Sequence, residues 1–337
     1  MMCSCAKTIS PFDKSWIIKV DGEKVSSEIY SYYVYSAYEM YSYYGLIDPA
    51  VSLKKQYITL DGGEGKETRK RADKQINEYA LDKTVSLYYL QKQYEQSGLV
   101  TDEQTAAQLK EVAAYEYDAY RAMFEKNGIS EETVLLAGAG GMATQMAEEL
   151  FIKDTADIPE QEILDYYHEN YVSYAYVSQK MLDEGGIPLD DSDKDVYRKE
   201  LAEVAEKVKT GSVDISDLAL EYIKDASADP KCGKGGKNIS TVEWGESDLM
   251  SELKNMAPGE VKYVEIKNCG YVIKRFDLDQ NGFYSDEGNR LLVLKNMKYD
   301  DWSENFYKNL SDLSYTLNVS AYNKHGINNF KSEDDGK

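Results

Sequence analysis

The chain has 337 residues, enough for two domains, each with its own core. Its 39 Lys and Arg face 60 Asp and Glu, a net charge of −21, so a phosphate backbone would repel it and nucleic acid is excluded as a partner. This balance suits a basic client or a divalent cation, and equally serves solubility alone. No apolar run is long enough to span a bilayer. The 30 tyrosines, beside 7 phenylalanines and 6 prolines, supply apolar bodies with polar tips, useful on half-wet surfaces.

In chain order, Trp16–Val20, an Asp21-Gly22 turn and Lys24-Val25 predict a short hairpin. Ser26 or Ser27 caps a helix that Gly45 stops. Its positions Ile29, Tyr33, Ala37, Met40 and Tyr44 share one face, while Tyr30, Tyr32, Tyr35, Tyr38, Tyr41 and Tyr43 occupy the others. Tyrosine on every side implies packing on two sides or a sticky groove, with Tyr33 and Tyr41 as candidate contacts.

Residues 61–65 read as a loop, followed by helices over 66–97 and 101–126, the second capped by Thr101. Another helix starts at Ser130 and runs toward Asp154, and Pro159 opens a further one to about Asn170. Ser173–Leu182 alternates as a strand, and residues 183–193 form a Gly/Pro/Asp loop. Helices at 196–210 and 215–224, a Gly/Lys loop, a helix at 247–256 and strands at 262–266 and 271–277 complete a compact α+β segment. The chain turns helical again from Asp286 to Tyr315 and ends in a polar tail, 331–337, expected to be disordered.

Two motifs invite a chemical reading and lack its context. Val134–Ala143, with Gly138, Gly140 and Gly141, has a dinucleotide-binding look, but no βαβ unit follows it. Asp190, Asp191 and Asp193 lack the ligand spacing of a calcium loop, and no Cys/His set has zinc spacing, so neither metal nor cofactor is expected.

Three segments carry a resemblance. Val20-Asp-Gly-Glu-Lys-Val-Ser-Ser-Glu28 is one, and Ile158-Pro-Glu-Gln-Glu-Ile-Leu-Asp-Tyr-Tyr-His-Glu-Asn170 is another. The third is Asp229-Pro-Lys-Cys-Gly-Lys-Gly-Gly236, then Ala257-Pro-Gly-Glu-Val261, then Gly270-Tyr-Val-Ile-Lys274. In this order they resemble the PrsA/SurA-type extracytoplasmic foldases, the last resembling a parvulin-type peptidyl-prolyl isomerase domain. The resemblance implies an α+β multidomain protein: a mainly helical chaperone domain built from the N- and C-terminal segments, with a parvulin-like α+β domain inserted. The implied spans are a tether at 1–14, the chaperone domain at 15–171, the parvulin-like domain at 172–280, a returning helix at 281–330 and the tail. Cys3 or Cys5 is similar to the lipidated cysteine of a bacterial lipoprotein. That implies a chain held at the outer face of the cytoplasmic membrane.

Parvulins resemble one another in a proline pocket beside two histidines, an acid or cysteine, and a hydroxyl. Here the acid falls at Asp229, which also suits a turn opener before Pro230. The histidine positions hold Tyr176 and Val272, the hydroxyl positions fall near Lys262 and Lys267, and the pocket falls around Leu249, Leu253, Met256 and Tyr271. The two histidines, His168 and His325, lie outside the domain, as surface or capping residues. The resemblance therefore implies fold and peptide binding, with unfolded or secreted polypeptides as partners, more than catalysis. An active isomerase using Asp229, or a surface binding lipoprotein, are the alternatives. In an oxidising exterior, Cys232 and Cys269 could form a disulfide closing a loop of about 36 residues, stabilising by roughly 4 kcal/mol. The oligomeric state is open.

Overall fold

The structure is a computed structural model and describes residues 7–10, 12–61, 67–229, 231–245, 247–280 and 282–331. Cys3, Cys5 and the tail beyond Lys331, to which the lipid-anchor and disorder expectations refer, lie outside these residues. The elements are β1 (Lys7–Ile9), β2 (Trp16–Val20), β3 (Glu23–Ser26), α1 (Ser27–Tyr43), β4 (Tyr57–Asp61), β5 (Glu67–Arg71), α2 (Ala72–Ser97) and α3 (Glu103–Ala119). They continue with α4 (Arg121–Asn127), α5 (Glu131–Ala137), α6 (Met142–Asp154), α7 (Glu160–Asn170), β6 (Tyr171–Lys180), α8 (Asp191–Lys209) and α9 (Ile215–Ala228). The last are β7 (Lys234–Trp244), α10 (Asp248–Lys254), β8 (Val261–Ile266), β9 (Cys269–Phe276), α11 (Glu287–Ser311), β10 (Thr316–Asn318) and α12 (Val319–His325).

The chain divides into two compact units, Met1–Asp157 with Asp301–Lys337, and Ile158–Asp300. The first is mainly helical and draws on both ends of the chain, as the fold-class expectation required. Its small sheet has the order β1-β10-β2-β3, in which C-terminal β10 lies between two N-terminal strands. Asn318, fully buried, locks this joint. Its amide donates to the carbonyls of Asp13 and Trp16 at 2.8 Å each, while its side-chain oxygen accepts from Ala321 N and so caps α12. Ser26 caps α1, accepting from Glu28 N at 3.2 Å.

Three expectations for this unit change. The helix expected from residue 66 begins at Ala72, because β4 and β5 first form a hairpin in which Ile58 is buried between exposed Tyr57 and Thr59. Asp102 caps α3, accepting from Thr105 N at 3.0 Å, while Thr101 bonds the Tyr94 hydroxyl instead. The glycines at 138, 140 and 141 separate α5 from α6, and no strand precedes them, which removes the dinucleotide reading.

The second unit is a four-stranded antiparallel sheet, order β7-β6-β9-β8. α8 and α9 cover one face, with Leu201, Ala205 and Ala219 against Ala175, Val177 and Val272. α10 covers part of the other, with Met250 and Leu253 against Val172, Tyr174 and Ile273. Lys267 and Asn268 turn β8 into β9, both with positive φ. This unit is wider than the span 172–280 read from the sequence, because Ile163 and Tyr167 of α7 pack with Val293 of α11 and with Phe283. The expected Gly/Lys loop is β7, paired along β6.

Candidate functional site

In the second unit, the residues at the expected isomerase positions do not converge. Successive strand residues point to opposite sheet faces. Tyr176 lies on the α10 face, beside Tyr174 (ring centroids 6.2 Å) and edge-on to Tyr271 (5.6 Å). Val272 is fully buried on the other face, among Ala175, Val177 and the α8–α9 side chains. Pairing Tyr176 with Val272 as one site is therefore wrong. Asp229 follows α9, exposed; its carboxylate accepts from Lys231 N at 3.0 Å, which is the turn role. Leu253 and Met256 are core residues, while Leu249 and Tyr271 are half-buried at its margin. His168 is exposed on α7, 3.3 Å from the Asp279 carboxylate, and His325 belongs to α12.

Cys232 and Cys269 are free thiols, so the expected disulfide is not formed. The carbonyl of Cys232 accepts from Gln179 on the β7 side of β6, and Cys269 is registered with Lys180 on the β9 side. Two strand spacings, about 10 Å, separate such positions, beyond disulfide reach. Burial pushes the Cys269 thiol up, with the Tyr271 and Ser178 hydroxyls in hydrogen-bonding reach. Burial, then Cys269, holds Tyr271 at about 12. Nearby, Lys237 lies over the Tyr174 ring at 4.7 Å and pairs with Glu243, which also accepts from the Tyr174 hydroxyl. Burial lowers the Lys237 ammonium. These groups are tied to one another by packing and hydrogen bonds.

The glycines of the third resembling segment have a packing role. A Cβ on Gly236 would stand 2.7 Å from the backbone oxygen of Ala219, so α9 can lie on β7 only above a glycine. A Cβ on Gly270 would meet Leu201 Cδ1 at 2.5 Å and Met181 Cε at 2.8 Å. The segment therefore encodes how helices sit on the sheet.

In the first unit, Tyr33 and Tyr41, expected as groove contacts, belong to the packed interior. Tyr41 is buried and accepts from Gln75 at 3.3 Å; Tyr33 packs against the core, where burial raises its hydroxyl. The groove is formed by other tyrosines of the same helix. A cleft of about 450 Å³ is lined by Tyr35 and Tyr38 of α1, Tyr120 between α3 and α4, Met123 of α4, the 49–53 segment and Phe330. The Tyr35 ring lies 5.6 Å from Tyr120 and stacks on Phe330 at 6.4 Å. Glu39 stands at its edge, exposed, and with burial it raises the Tyr35 and Tyr38 hydroxyls. Tyr120 is 40% exposed, and Tyr43 and Tyr44 at the end of α1 are more open still. Nothing in the local spacing of α1 selects Tyr35 and Tyr38, because the partners that complete the cleft come from distant parts of the chain.

Among the described residues no group of three His, Cys, Asp or Glu could hold a metal ion. Asp190 caps α8, accepting from Asp193 N at 3.0 Å and Ser192 Oγ at 2.7 Å, which explains the aspartate cluster.

No family model matches the sequence, and no curated protein matches it. Among solved structures the chain is similar to the peptidylprolyl isomerase PrsA of Bacillus cereus, with 19% identity over 75% of this chain and 90% of that one, TM-score 0.34. It is similar to the foldase protein PrsA of Streptococcus pneumoniae, with 15% identity over 82% and 95% of the two chains, TM-score 0.34. It is also similar to the foldase protein PrsA of Lactococcus lactis, with 14% identity over 94% and 99%, TM-score 0.33. Likeness at this level carries no residue-by-residue correspondence, and the functional reading rests on the side chains themselves.

Proposed function

We propose that this protein is an ATP-independent holding chaperone for unfolded polypeptides, without prolyl isomerase turnover. The observation that carries the reading is the aromatic cleft of the helical unit, open beside Tyr120 and walled by Tyr35, Tyr38, Met123 and Phe330. Aromatic rings offer large apolar area with little rotamer entropy to lose, so they grip varied apolar side chains without demanding one sequence. Their phenolic tips accept and donate at the rim, where an extended client presents unpaired backbone groups. Shielding those segments lowers aggregation.

Catalysis is disfavoured by the second unit. A prolyl isomerase must hold a twisted imide over a barrier of about 18–20 kcal/mol. No histidine lies on the α10 face of the sheet; Val272 points into the opposite core, and Asp229 is used in a turn. We further propose an extracytoplasmic location, with a lipid on Cys3 or Cys5, and a surface of the second unit that adds to client binding.

The test is aggregation of a denatured secreted protein followed by light scattering. The parent chain suppresses it at stoichiometric ratio. Tyr120→Ala weakens client binding about tenfold, the loss of one well-packed aromatic contact. No suppression by the parent would leave the surface-lipoprotein alternative in its place. Acceleration of X-Pro relaxation in a peptide, abolished by Asp229→Ala, would establish the isomerase alternative.

A further inference from the structure

A second cleft, of about 350 Å³, is lined by residues of α2, α6 and α11 and shares no residue with the tyrosine cleft. All of its lining belongs to the first unit. Along α2 the lining side chains are Tyr89, Gln93 and Gln96, spaced i, i+4 and i+7. Along α11 they are Trp302, Asn305, Phe306 and Asn309, spaced i, i+3, i+4 and i+7. Each set is one face of its helix, and each combines aromatic rings with side-chain amides.

The rings form a continuous half-buried wall that packs against the core. Phe306 lies edge-on to Tyr89, with ring centroids 5.0 Å apart, and stacks on Trp302 at 5.7 Å. The two charged residues of the lining are already engaged. The Lys153 ammonium donates to the Ser97 carbonyl, and the Asp154 carboxylate accepts from Trp302 Nε1 at 2.9 Å. The four amides have no hydrogen-bond partner among the described residues, and those of Gln96, Asn305 and Asn309 are exposed.

We propose that this cleft binds a neutral saccharide. A sugar ring presents a face of C–H groups, which packs on an aromatic ring, and a rim of hydroxyls that each donate and accept. A primary amide offers two donors and an acceptor, so it matches a pair of neighbouring hydroxyls. A charged ligand finds both charges of the cleft committed, and a body at −21 repels an anionic one. An extended peptide would also meet the amides, but it gives up backbone freedom that a sugar ring does not have. The volume falls in the lower part of the range for small-molecule sites, about 300–1,000 Å³, which suits a short saccharide. The first unit thus carries two clefts of different chemistry, and this one stands independently of client binding in the other.

The experiment titrates the full chain with cellotriose, maltotriose and chitotriose, read by calorimetry and by tryptophan fluorescence. At least one of them is expected to bind saturably and to shift the emission of Trp302. The variant N305A/N309A weakens binding about tenfold, the loss of two hydrogen bonds, and keeps the melting point of the parent. Q93A/Q96A, on α2, does the same. Tyr120→Ala, in the other cleft, leaves saccharide binding unchanged. Absence of binding by all three trisaccharides, unchanged binding by both amide variants, or an equal loss in Tyr120→Ala overturns the proposal. So does binding of a denatured protein that the amide variants weaken while no trisaccharide competes, since a polypeptide would then be the occupant.

Discussion

The segment Gly270-Tyr271-Val272 tempts one to restore a histidine, and Val272→His is the perturbation that separates the sequence reading from the structural one. Val272 is fully buried on the α8–α9 face. The neighbouring space is full, since a Cβ at Gly270 would already meet Leu201 at 2.5 Å. An imidazole there overfills the core, costing about 1–3 kcal/mol. It also carries nitrogens without partners into an apolar layer, costing about 1–3 kcal/mol more. The expected destabilisation is about 4 kcal/mol, with no gain in isomerase activity. Urea unfolding followed by circular dichroism reads it. With a slope of about 1–3 kcal/mol per molar, the midpoint for this unit falls by more than about 1 M. Tyr271→His is the companion: half-buried, on the same face as Tyr176, it costs less than about 1.5 kcal/mol. A Val272→His protein with an unchanged midpoint, or one that now accelerates X-Pro relaxation, would refute the face assignment and revive the catalytic pairing.

Gly236→Ala forces backbone of α9 off β7 and lowers stability by about 1–3 kcal/mol, whereas Gly288→Ala, whose Cβ meets only the flexible Asp286 carboxylate at 3.3 Å in the first turn of α11, raises it by about 0.5–1 kcal/mol; thermal melts compare the two. Burial, with Lys324 and Lys14 nearby, lowers His325, whose Nε2 donates to Lys14 O at 3.1 Å and whose Nδ1 lies 3.3 Å from Ser31 Oγ, while the bond to the Lys14 carbonyl and the Glu28 charge oppose the shift. The unfolded chain then binds the extra proton below the ordinary value of 6.5, so stability falls as pH drops through that value; His325→Gln flattens this limb in pH-dependent melts, and an unchanged limb contradicts the assignment. Tyr32→Phe removes a 2.8 Å bond to Glu116 and costs about 1–2 kcal/mol without altering client binding, whereas Tyr120→Phe leaves the melting point in place and weakens client binding; the opposite pattern in melts and light scattering would move the binding site away from the cleft.

The long elements of the fold were legible because they depend on local periodicity. α1, α2 and α8 show helical spacing, and Ser26 and the glycine after α2 mark ends by their own chemistry. β7 was hidden because its start, Lys234-Gly-Gly-Lys237, has turn composition; only contact with α9 makes glycine the required residue there. β5 was hidden in the same way, since Thr68-Arg69-Lys70-Arg71 has no apolar residue to alternate. The failure at Val272 has a different origin. A motif fixes order along the chain, but a sheet face is set by parity, and one residue of displacement moves a side chain to the far side. In the first unit the sequence left packing and groove open, and two of the tyrosines it placed on the other faces, Tyr35 and Tyr38, line the cleft. Tyr35 is buried like Tyr41, and Tyr38 is half-buried like Tyr33; only the first of each pair lines the cleft.

The same distinction accounts for the unusual tyrosine content. Six tyrosine hydroxyls, those of Tyr32, Tyr88, Tyr94, Tyr174, Tyr263 and Tyr284, donate to glutamates: Glu116, Glu23, Glu149, Glu243, Glu265 and Glu160 respectively. A phenylalanine could fill these volumes but would leave the carboxylates without that donor, so tyrosine and glutamate richness share a partial cause. The cleft tyrosines are bonded differently. Tyr35 lies ring to ring with Tyr120 at 5.6 Å, and among the described residues no carboxylate accepts from the hydroxyls of Tyr35, Tyr38 or Tyr120. A phenol without a carboxylate partner is held less firmly than one on a carboxylate, which leaves these tips for the backbone of an incoming chain. Tyrosine thus fills volume and satisfies a carboxylate at these six sites, and lines the cleft at Tyr35, Tyr38 and Tyr120.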